Sequence, residues 1–317
     1  MRKPIVYFIV GATATGKTDA AVDIAKRMAG EVVSADAIQI YRQLNKGSAK
    51  PSEEEKGGIP HHLIDIVDYT CDDYNAARFS KDAGKCIEEI IERGHTPIVA
   101  GGTGLYVNSL VYPLNFTEVK PNGMLRAALE ADEQAAPGTL YERLHLLDSD
   151  AAARLHPNDT KRIVRALEVC LTTGTSLTAQ GGDFLNERNA EIPYTPVMAG
   201  ITMDRALLYD RINKRVDRML ENGLLDEVRT LYTACGNREL HSMQAIGYKQ
   251  FIAYIEGECG YDEAVESIKR ETRRFAKRQI AWFKRDERIR WFDALSYENK
   301  ERMYDAIYEY FITEGGK

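Results

Sequence analysis

Apolar residues along this chain follow two rhythms. Ile5-Val6-Tyr7-Phe8-Ile9-Val10 is an unbroken β-branched and aromatic run, which suits a strand covered on both faces of a parallel sheet. Glu31 to Asp36, Thr96 to Ala100 and Val197 to Ile201 repeat it in shorter form. Elsewhere the spacing is helical. Val22, Ile24, Ala25 and Met28 mark a helix over Asp19 to Met28, an apolar helix begins at Leu105, and another after Ile201 carries Arg211. From about Lys120 to Ile192 no strand pattern occurs. Met124 to Gln134, Thr139 to Leu147, Ala151 to Leu155 and Thr160 to Leu171 read as short helices, broken at Pro137-Gly138 and His156-Pro157-Asn158. Gly181-Gly182 and the stretch from Pro193 to Pro196 mark the return to the core. The pattern predicts an α/β fold: a parallel sheet core over 1–118 and 197–317, flanked by helices, and a helical insertion domain over 119–196.

Toward the end, bases from Lys269 to Lys284 fall on one half of a helix, with Ile268, Phe275, Ala276, Trp282 and Phe283 on the other. The Tyr-rich terminus (Tyr304, Tyr308, Tyr310) reads as an amphipathic packing helix. Composition changes this picture little: 44% apolar and 28% charged residues exclude collagen, disorder and a disulfide scaffold. The early apolar run stops at Gly11, too short for a membrane span. Cys71, Cys86, Cys170, Cys235 and Cys259 are scattered and form no C-x-x-C pair, as expected of reduced thiols in a cytoplasmic protein. A monomer is the expectation. His61-His62 reads as a structural pair. Net charge is −6, yet Lys269 to Arg290 carries ten bases against three acids, leaving +7 there and −13 elsewhere. Any nucleic-acid surface must therefore be local; this stretch, read as an amphipathic helix with one basic face and one core face, is the candidate, although a solvated cationic face has the same pattern.

The first strand runs into Gly11-Ala12-Thr13-Ala14-Thr15-Gly16-Lys17-Thr18 and then a helix, the P-loop pattern G-x-x-x-x-G-K-[ST] in its proper context. Glycines let the backbone wrap an anion, amides point inward, and the helix start adds partial positive charge. Lys17 supplies a full charge, and the Thr18 hydroxyl is placed to ligate Mg²⁺. These eight residues predict a di- or triphosphate site in a P-loop NTPase-like core, as in nucleotide- and ATP-binding proteins. Asp36 ends a strand whose carboxyl end should face the ligand crevice. A general base, an outer partner of a metal, and a turn-capping Asp all fit it. Gly101-Gly102-Thr103-Gly104 forms a second glycine-rich turn, presenting Thr103 to a ligand or merely turning the chain. Ala100 stands where many P-loop ATPases place a Mg²⁺-binding aspartate. Asn213-Lys214-Arg215-Val216 fails the last place of the guanine-reading N-K-x-D. A motor or GTPase switch is thus disfavoured. A nucleoside or small-metabolite kinase and a transferase with a diphosphate leaving group remain.

The P-loop, Ser34-Ala35-Asp36-Ala37-Ile38-Gln39-Ile40-Tyr41-Arg42 and Gly47-Ser48-Ala49-Lys50-Pro51 resemble the opening of tRNA dimethylallyltransferases. Further on, His61-His62-Leu63-Ile64-Asp65, Gly101 to Tyr106, Asn158 to Ile163 with Arg165 to Glu168, Gly247-Tyr248-Lys249-Gln250 and Arg273 to Trp282 follow in the family's order. The resemblance implies transfer of a dimethylallyl group from its diphosphate to N6 of adenosine 37 in a tRNA anticodon stem-loop, with Mg²⁺ as cofactor. It implies Asp36 as the base at N6, and Ala37, Ile38 and Gln39 around the flipped nucleotide. Thr103 would contact substrate at the reaction centre, Arg126 would touch tRNA, and Arg211 would hold diphosphate oxygens. Arg162 and Arg165 of the insertion would meet RNA, with surface salt bridges as the equal alternative. Arg273, Arg274, Lys277 and Arg278 would contact its backbone. Ala12, Ala37 and Ser48 depart from the family's usual Pro, Ser and Thr without removing a charge. A small-metabolite kinase has no need of the basic helix or the insertion. A merely RNA-binding module would leave Asp36 and Thr103 without a task.

Overall fold

The computed structural model describes residues 3–112, 119, 122–176 and 191–316. The chain opens with β1 (Ile5–Gly11), α1 (Lys17–Arg27), β2 (Gly30–Ser34), α2 (Glu53–Lys56), β3 (His61–His62), α3 (Ala76–Glu92), β4 (Thr96–Gly101) and α4 (Gly104–Val111). Next come α5 (Gly123–Ala135), α6 (Thr139–Leu147), α7 (Ser149–Arg154) and α8 (Thr160–Thr173). It closes with β5 (Thr195–Thr202), α9 (Arg205–Glu221), α10 (Leu224–Cys235), α11 (Tyr248–Ile255), α12 (Tyr261–Phe283), β6 (Ile289–Asp293) and α13 (Lys300–Gly316). The sheet runs β3-β2-β4-β1-β5-β6, and every pairing is parallel.

The opening apolar run becomes the inner strand β1, between β4 and β5. Tyr7 and Ile9 pack with Ile24 and Ala25 of α1 and with Ile307 and Phe311 of α13. Val6, Phe8 and Val10 are equally buried and point to the other face, because side chains alternate along a strand. Each such side chain contributes about 1.5–3 kcal/mol by leaving water. The packing role read for the C-terminal tyrosines fits α13, where Tyr304 is buried and Tyr310 lies 5.7 Å from Phe311, ring to ring.

In register, Val10 lies beside Gly101 and Ser34 beside Ala100. The carboxyl ends of β1, β2 and β4 therefore release their following turns side by side. Near the other end of β2, buried Glu31 is held by Arg93, His62 and His95 at 2.8, 2.5 and 2.6 Å.

Three expectations need correction. The chain divides into two compact units, Met1–Val111 with Ile192–Lys317, and Tyr112–Glu191, so the insertion is not 119–196. Thr195 and Pro196 already pair with Ile5 and Val6 in the sheet. The basic stretch is not one helix through Arg290. It stops at Phe283, where Asp286 folds back on Arg288, and Ile289 and Phe292 then join the sheet beside β5. Asp36 lies in the turn beyond β2, which ends at Ser34. Gly181-Gly182 lies outside the described residues.

The unit Tyr112–Glu191 has its own apolar centre, with Leu129, Leu140, Leu144, Ile163 and Leu167 from α5, α6 and α8. Its helices start on side-chain caps: Asn122 accepts the Leu125 N–H at 3.1 Å and Asp148 the Ala151 N–H at 3.0 Å. Glu168, fully buried, accepts from Arg126 Nε and Nη2 at 2.9 and 2.8 Å, Arg165 Nη1 at 2.5 Å and the Asn122 N–H at 2.7 Å. Burial alone would raise its pKa, but Arg126, the Asn122 amide and Arg165 hold it at about 2. Glu168→Gln should lower stability at pH 7 by roughly 1–3 kcal/mol. That is less than a fully buried pair because both guanidiniums reach water. The stabilisation is present above the ordinary value of 4.5 and is lost as pH falls toward about 2. In thermal melts, the Tm gap between wild type and variant should narrow over that window; a gap independent of pH contradicts the assignment.

Candidate functional site

The turn after β1 is shaped by what cannot fit. A Cβ on Gly11, whose φ is +150°, would stand 2.6 Å from the Ile201 carbonyl oxygen. Gly16 adopts φ 89° where α1 begins, and Ala14 is also left-handed at φ 64°. The Thr15 hydroxyl and the Lys17 ammonium both donate to the Ala12 carbonyl, at 2.8 and 2.6 Å. Thr13, Ala14, Gly16, Lys17 and Thr18 line a cavity of about 780 Å³; Gly11, Ala12 and Thr15 are buried and frame the loop beneath it.

The other two turns close on this loop. Asp36 Oδ1 accepts the N–H groups of Ile38 and Gln39 at 2.9 and 3.2 Å, so Asp36 does cap its own turn. It also lines the cavity, as does Gln39, whose side-chain oxygen accepts from the Ser34 hydroxyl at 3.0 Å. Thr103 Oγ1 accepts the Ala37 N–H at 3.0 Å, and the Thr103 N–H donates to the Ala35 carbonyl at 3.1 Å. A Cβ on Gly101 would fall 2.2 Å from that carbonyl oxygen. Thr103, Ala37 and Ile38 are half-buried and are not in the cavity wall.

Arg211 faces the same cavity from α9, together with Arg215, Arg218 and Asn222. Sequence reading missed these last three. Their spacing from Arg211 (four, seven and eleven residues) puts all four on one helical face, and that signal was available. Burial lowers the Lys17 pKa to about 8, with the positive Arg215 adding to the shift and Asp36 opposing it. Burial also lowers Arg215, again opposed by Asp36. One carboxylate thus sits within electrostatic range of two desolvated cations. Such a site can bind a polyanion strongly and still present a base.

Gln279 of α12 was also missed. Its amide is buried, accepting the Thr13 N–H at 2.9 Å and donating to the Gly102 carbonyl at 2.8 Å. Nothing in the pattern singles out one glutamine on a basic helix. A second tie lies in the 45–47 loop, where Glu227 accepts the N–H groups of Asn45, Lys46 and Gly47 at 2.9–3.3 Å, and the Tyr248 hydroxyl at 2.5 Å. A Cβ on Gly47 would stand 2.2 Å from the Tyr248 ring. That contact leaves no room for a side chain at position 47 while the Tyr248 ring stands where it does.

The expected RNA contacts are spread more widely. Arg273 donates to Asn213 at 2.7 Å and Arg274 pairs with Glu271 at 2.7 Å. Lys277 and Arg278 are exposed, with the Arg278 guanidinium 5.9 Å from the centre of the Phe275 ring. In the other unit, Arg126 and Arg165 hold Glu168, and Arg162 pairs with Asp159 at 3.0 Å.

Comparison with known proteins gives one answer. The IPP transferase family matches residues 39–286, and the isopentenyl transferase family residues 4–66. The tRNA dimethylallyltransferase of Alkaliphilus oremlandii is 45% identical over 310 residues, covering 98% of this chain and 97% of its own. The crystal structure of the full-length tRNA isopentenylpyrophosphate transferase of Bacillus halodurans is 40% identical, with a TM-score of 0.73, covering 99% of this chain and 97% of that one. A eukaryotic dimethylallyltransferase, solved in crystallographic snapshots acting on tRNA, is 29% identical with a TM-score of 0.80, covering 98% of this chain and 80% of its own. The parallel sheet, the glycine-rich turn after β1 and matches of this extent establish that the chain belongs to the IPP transferase family, the tRNA dimethylallyltransferases.

Proposed function

We propose that this chain transfers a dimethylallyl group from dimethylallyl diphosphate to N6 of adenosine 37, beside a tRNA anticodon, and releases diphosphate. The observation that carries this is the meeting of Lys17, Asp36 and the Arg211, Arg215 and Arg218 face in one cavity. Displacement at an allylic carbon requires stabilising the charge that develops on the departing diphosphate. The Ala14 to Thr18 loop, Lys17 and the α9 arginines are suited to that. The exocyclic amine of adenine is a weak nucleophile because its lone pair is delocalised into the ring. As N6 bonds to the allylic carbon, that carbon's bond to the diphosphate oxygen breaks and the electron pair leaves with the diphosphate. The N6 proton passes to Asp36. Reaching N6 requires the base to swing out of the anticodon loop, which costs less than extrusion from a duplex.

Mg²⁺ fits the donor chemistry, because Thr18 offers a hydroxyl and Asp19 and Asp36 line the same cavity as oxygen donors. When bound there it would neutralise charge developing on the diphosphate. Ala37, Ile38, Gln39 and Thr103 would position the flipped nucleotide. Arg273, Arg274, Lys277 and Arg278 would hold the RNA backbone, as would Arg126, Arg162 and Arg165 where their carboxylate partners leave donors exposed.

The direct test supplies an unmodified anticodon stem-loop, dimethylallyl diphosphate and Mg²⁺, and reads added prenyl mass on adenosine. Phosphorylated nucleoside from ATP in a parallel reaction, without prenylated RNA, overturns the proposal. Asp36→Asn should lower kcat by about 10²–10⁴-fold, the range of general-base assistance, while prenyl diphosphate still binds. Near-normal turnover by this variant removes Asp36 from the role.

Prenyl diphosphate affinity should weaken as pH rises past about 8, where Lys17 loses its proton and the ligand's own ionisation is complete. The full loss should be about 10–100-fold, the worth of one charge-assisted contact. Lys17→Met should bind weakly throughout, without the inflection. Affinity for RNA should fall steeply with salt, and Lys277→Glu with Arg278→Glu should flatten that slope. An unchanged slope places the RNA elsewhere.

A further inference from the structure

Gln279 bonds two of the turns that frame the diphosphate cavity, and it does so through its two amide atoms. Its oxygen accepts the Thr13 N–H and its nitrogen donates to the Gly102 carbonyl. The fit leaves no slack. A Cβ on Gly102 would lie 2.3 Å from Gln279 Nε2, and one on Gly104 would lie 2.3 Å from the Trp282 ring of the same helix. From Gly102 the path continues through Thr103, whose hydroxyl holds the Ala37 N–H next to Asp36. The phosphate loop is therefore joined to the turn bearing the carboxylate through Gln279, Gly102, Thr103 and Ala37. A cavity open to water would satisfy the Thr13 N–H and the Gly102 carbonyl without such a bridge. What Gln279 adds is a fixed separation.

We propose that Gln279 is a positioning residue that sets the distance between the diphosphate site and Asp36. The proposal rests on the prenyl-transfer reading above. Misplacement of a reacting group by about 1 Å can cost roughly 10²-fold in rate. Gln279 touches neither the allylic carbon nor the adenine in this scheme. Its loss should therefore act on kcat and leave ground-state binding of the donor nearly intact.

Two variants of similar shape test this. Gln279→Met removes both hydrogen bonds; Gln279→Glu keeps an acceptor for Thr13 but turns an oxygen toward the Gly102 carbonyl. In full-length protein, kcat for prenylation of the stem-loop should fall about 10–100-fold in both, with KM for dimethylallyl diphosphate changed less than about threefold in Gln279→Met. A purely structural role would instead lower the melting temperature without this split. Hydrogen exchange supplies a readout independent of turnover. Inorganic pyrophosphate should protect both the phosphate loop and the Gly101 to Leu105 segment in the wild type, and only the phosphate loop in Gln279→Met. Undiminished kcat, or protection that still reaches Gly101 to Leu105 in the variant, overturns the role of Gln279. A wild type that shows this protection but never prenylates RNA overturns the reaction and leaves the bridge standing.

Discussion

Three stretches of backbone meet at the carboxyl edge of the sheet with almost no side chain between them. The Gly11 Cα faces the Ile201 carbonyl, Gly101 faces the Ala35 carbonyl, and Gly102 receives the amide of Gln279. A Cβ at any of these positions would come within 2.2–2.6 Å of a neighbour, closer than packed atoms tolerate. The glycines are there because the turns must touch. Their contact brings the phosphate loop, Asp36 and Thr103 together, and everything chemical in the site depends on it.

Cations gather around that contact, with carboxylates among them. The chain is acidic overall, at −6, yet Lys17, Arg211, Arg215 and Arg218 face one cavity where Asp36 is held among them. Burial makes the ionised states of Lys17 and Arg215 costly, and an anion in the cavity repays that cost through Coulomb attraction in a poorly screened place. The capping bonds from Ile38 and Gln39 to one Asp36 oxygen fix the carboxylate's direction. Turn-capping and catalytic readings of Asp36 are thus compatible: the cap fixes the direction of a carboxylate that the proposed chemistry would use.

Carboxylates also hold the frame by gathering donors, Glu31 and Glu168 as buried groups and Glu227 as a half-buried one at the loop beside the cavity. Glu31 draws Arg93, His62 and His95 to the amino end of β2. Glu227 gathers three loop amides and a tyrosine hydroxyl, and Glu168 organises the helices of the unit Tyr112–Glu191 around Arg126 and Arg165. The salt bridges that the sequence allowed for Arg162 and Arg165 are present, to Asp159 and Glu168, and Arg126, expected only at tRNA, is a partner of Glu168 as well.

The parallel core and the helices of the insertion were legible because hydrophobic period and glycine-rich turns are local properties, written in a few consecutive residues. β1, β4, β5 and the helices from Gly123 to Thr173 fell within a residue or two of expectation. The strand, glycine-rich turn and helix from Ile5 to Arg27 were equally plain, since they lie in one continuous stretch. Long-range placement was not. A single glutamine spanning 266 positions to Thr13 leaves no periodic trace, and neither does a strand at Ile289–Asp293 that exists only because β5 offers it hydrogen bonds. The extended basic helix was overdrawn for the same reason: charge spacing alone cannot register where a neighbouring strand captures the chain. Sequence by itself determined which segments could be strands or helices and which residues were candidates for an anion-binding turn. Tertiary structure alone decided which turns touch, which cations face the cavity and which are spent on carboxylates, because those choices depend on distances between residues that the chain separates.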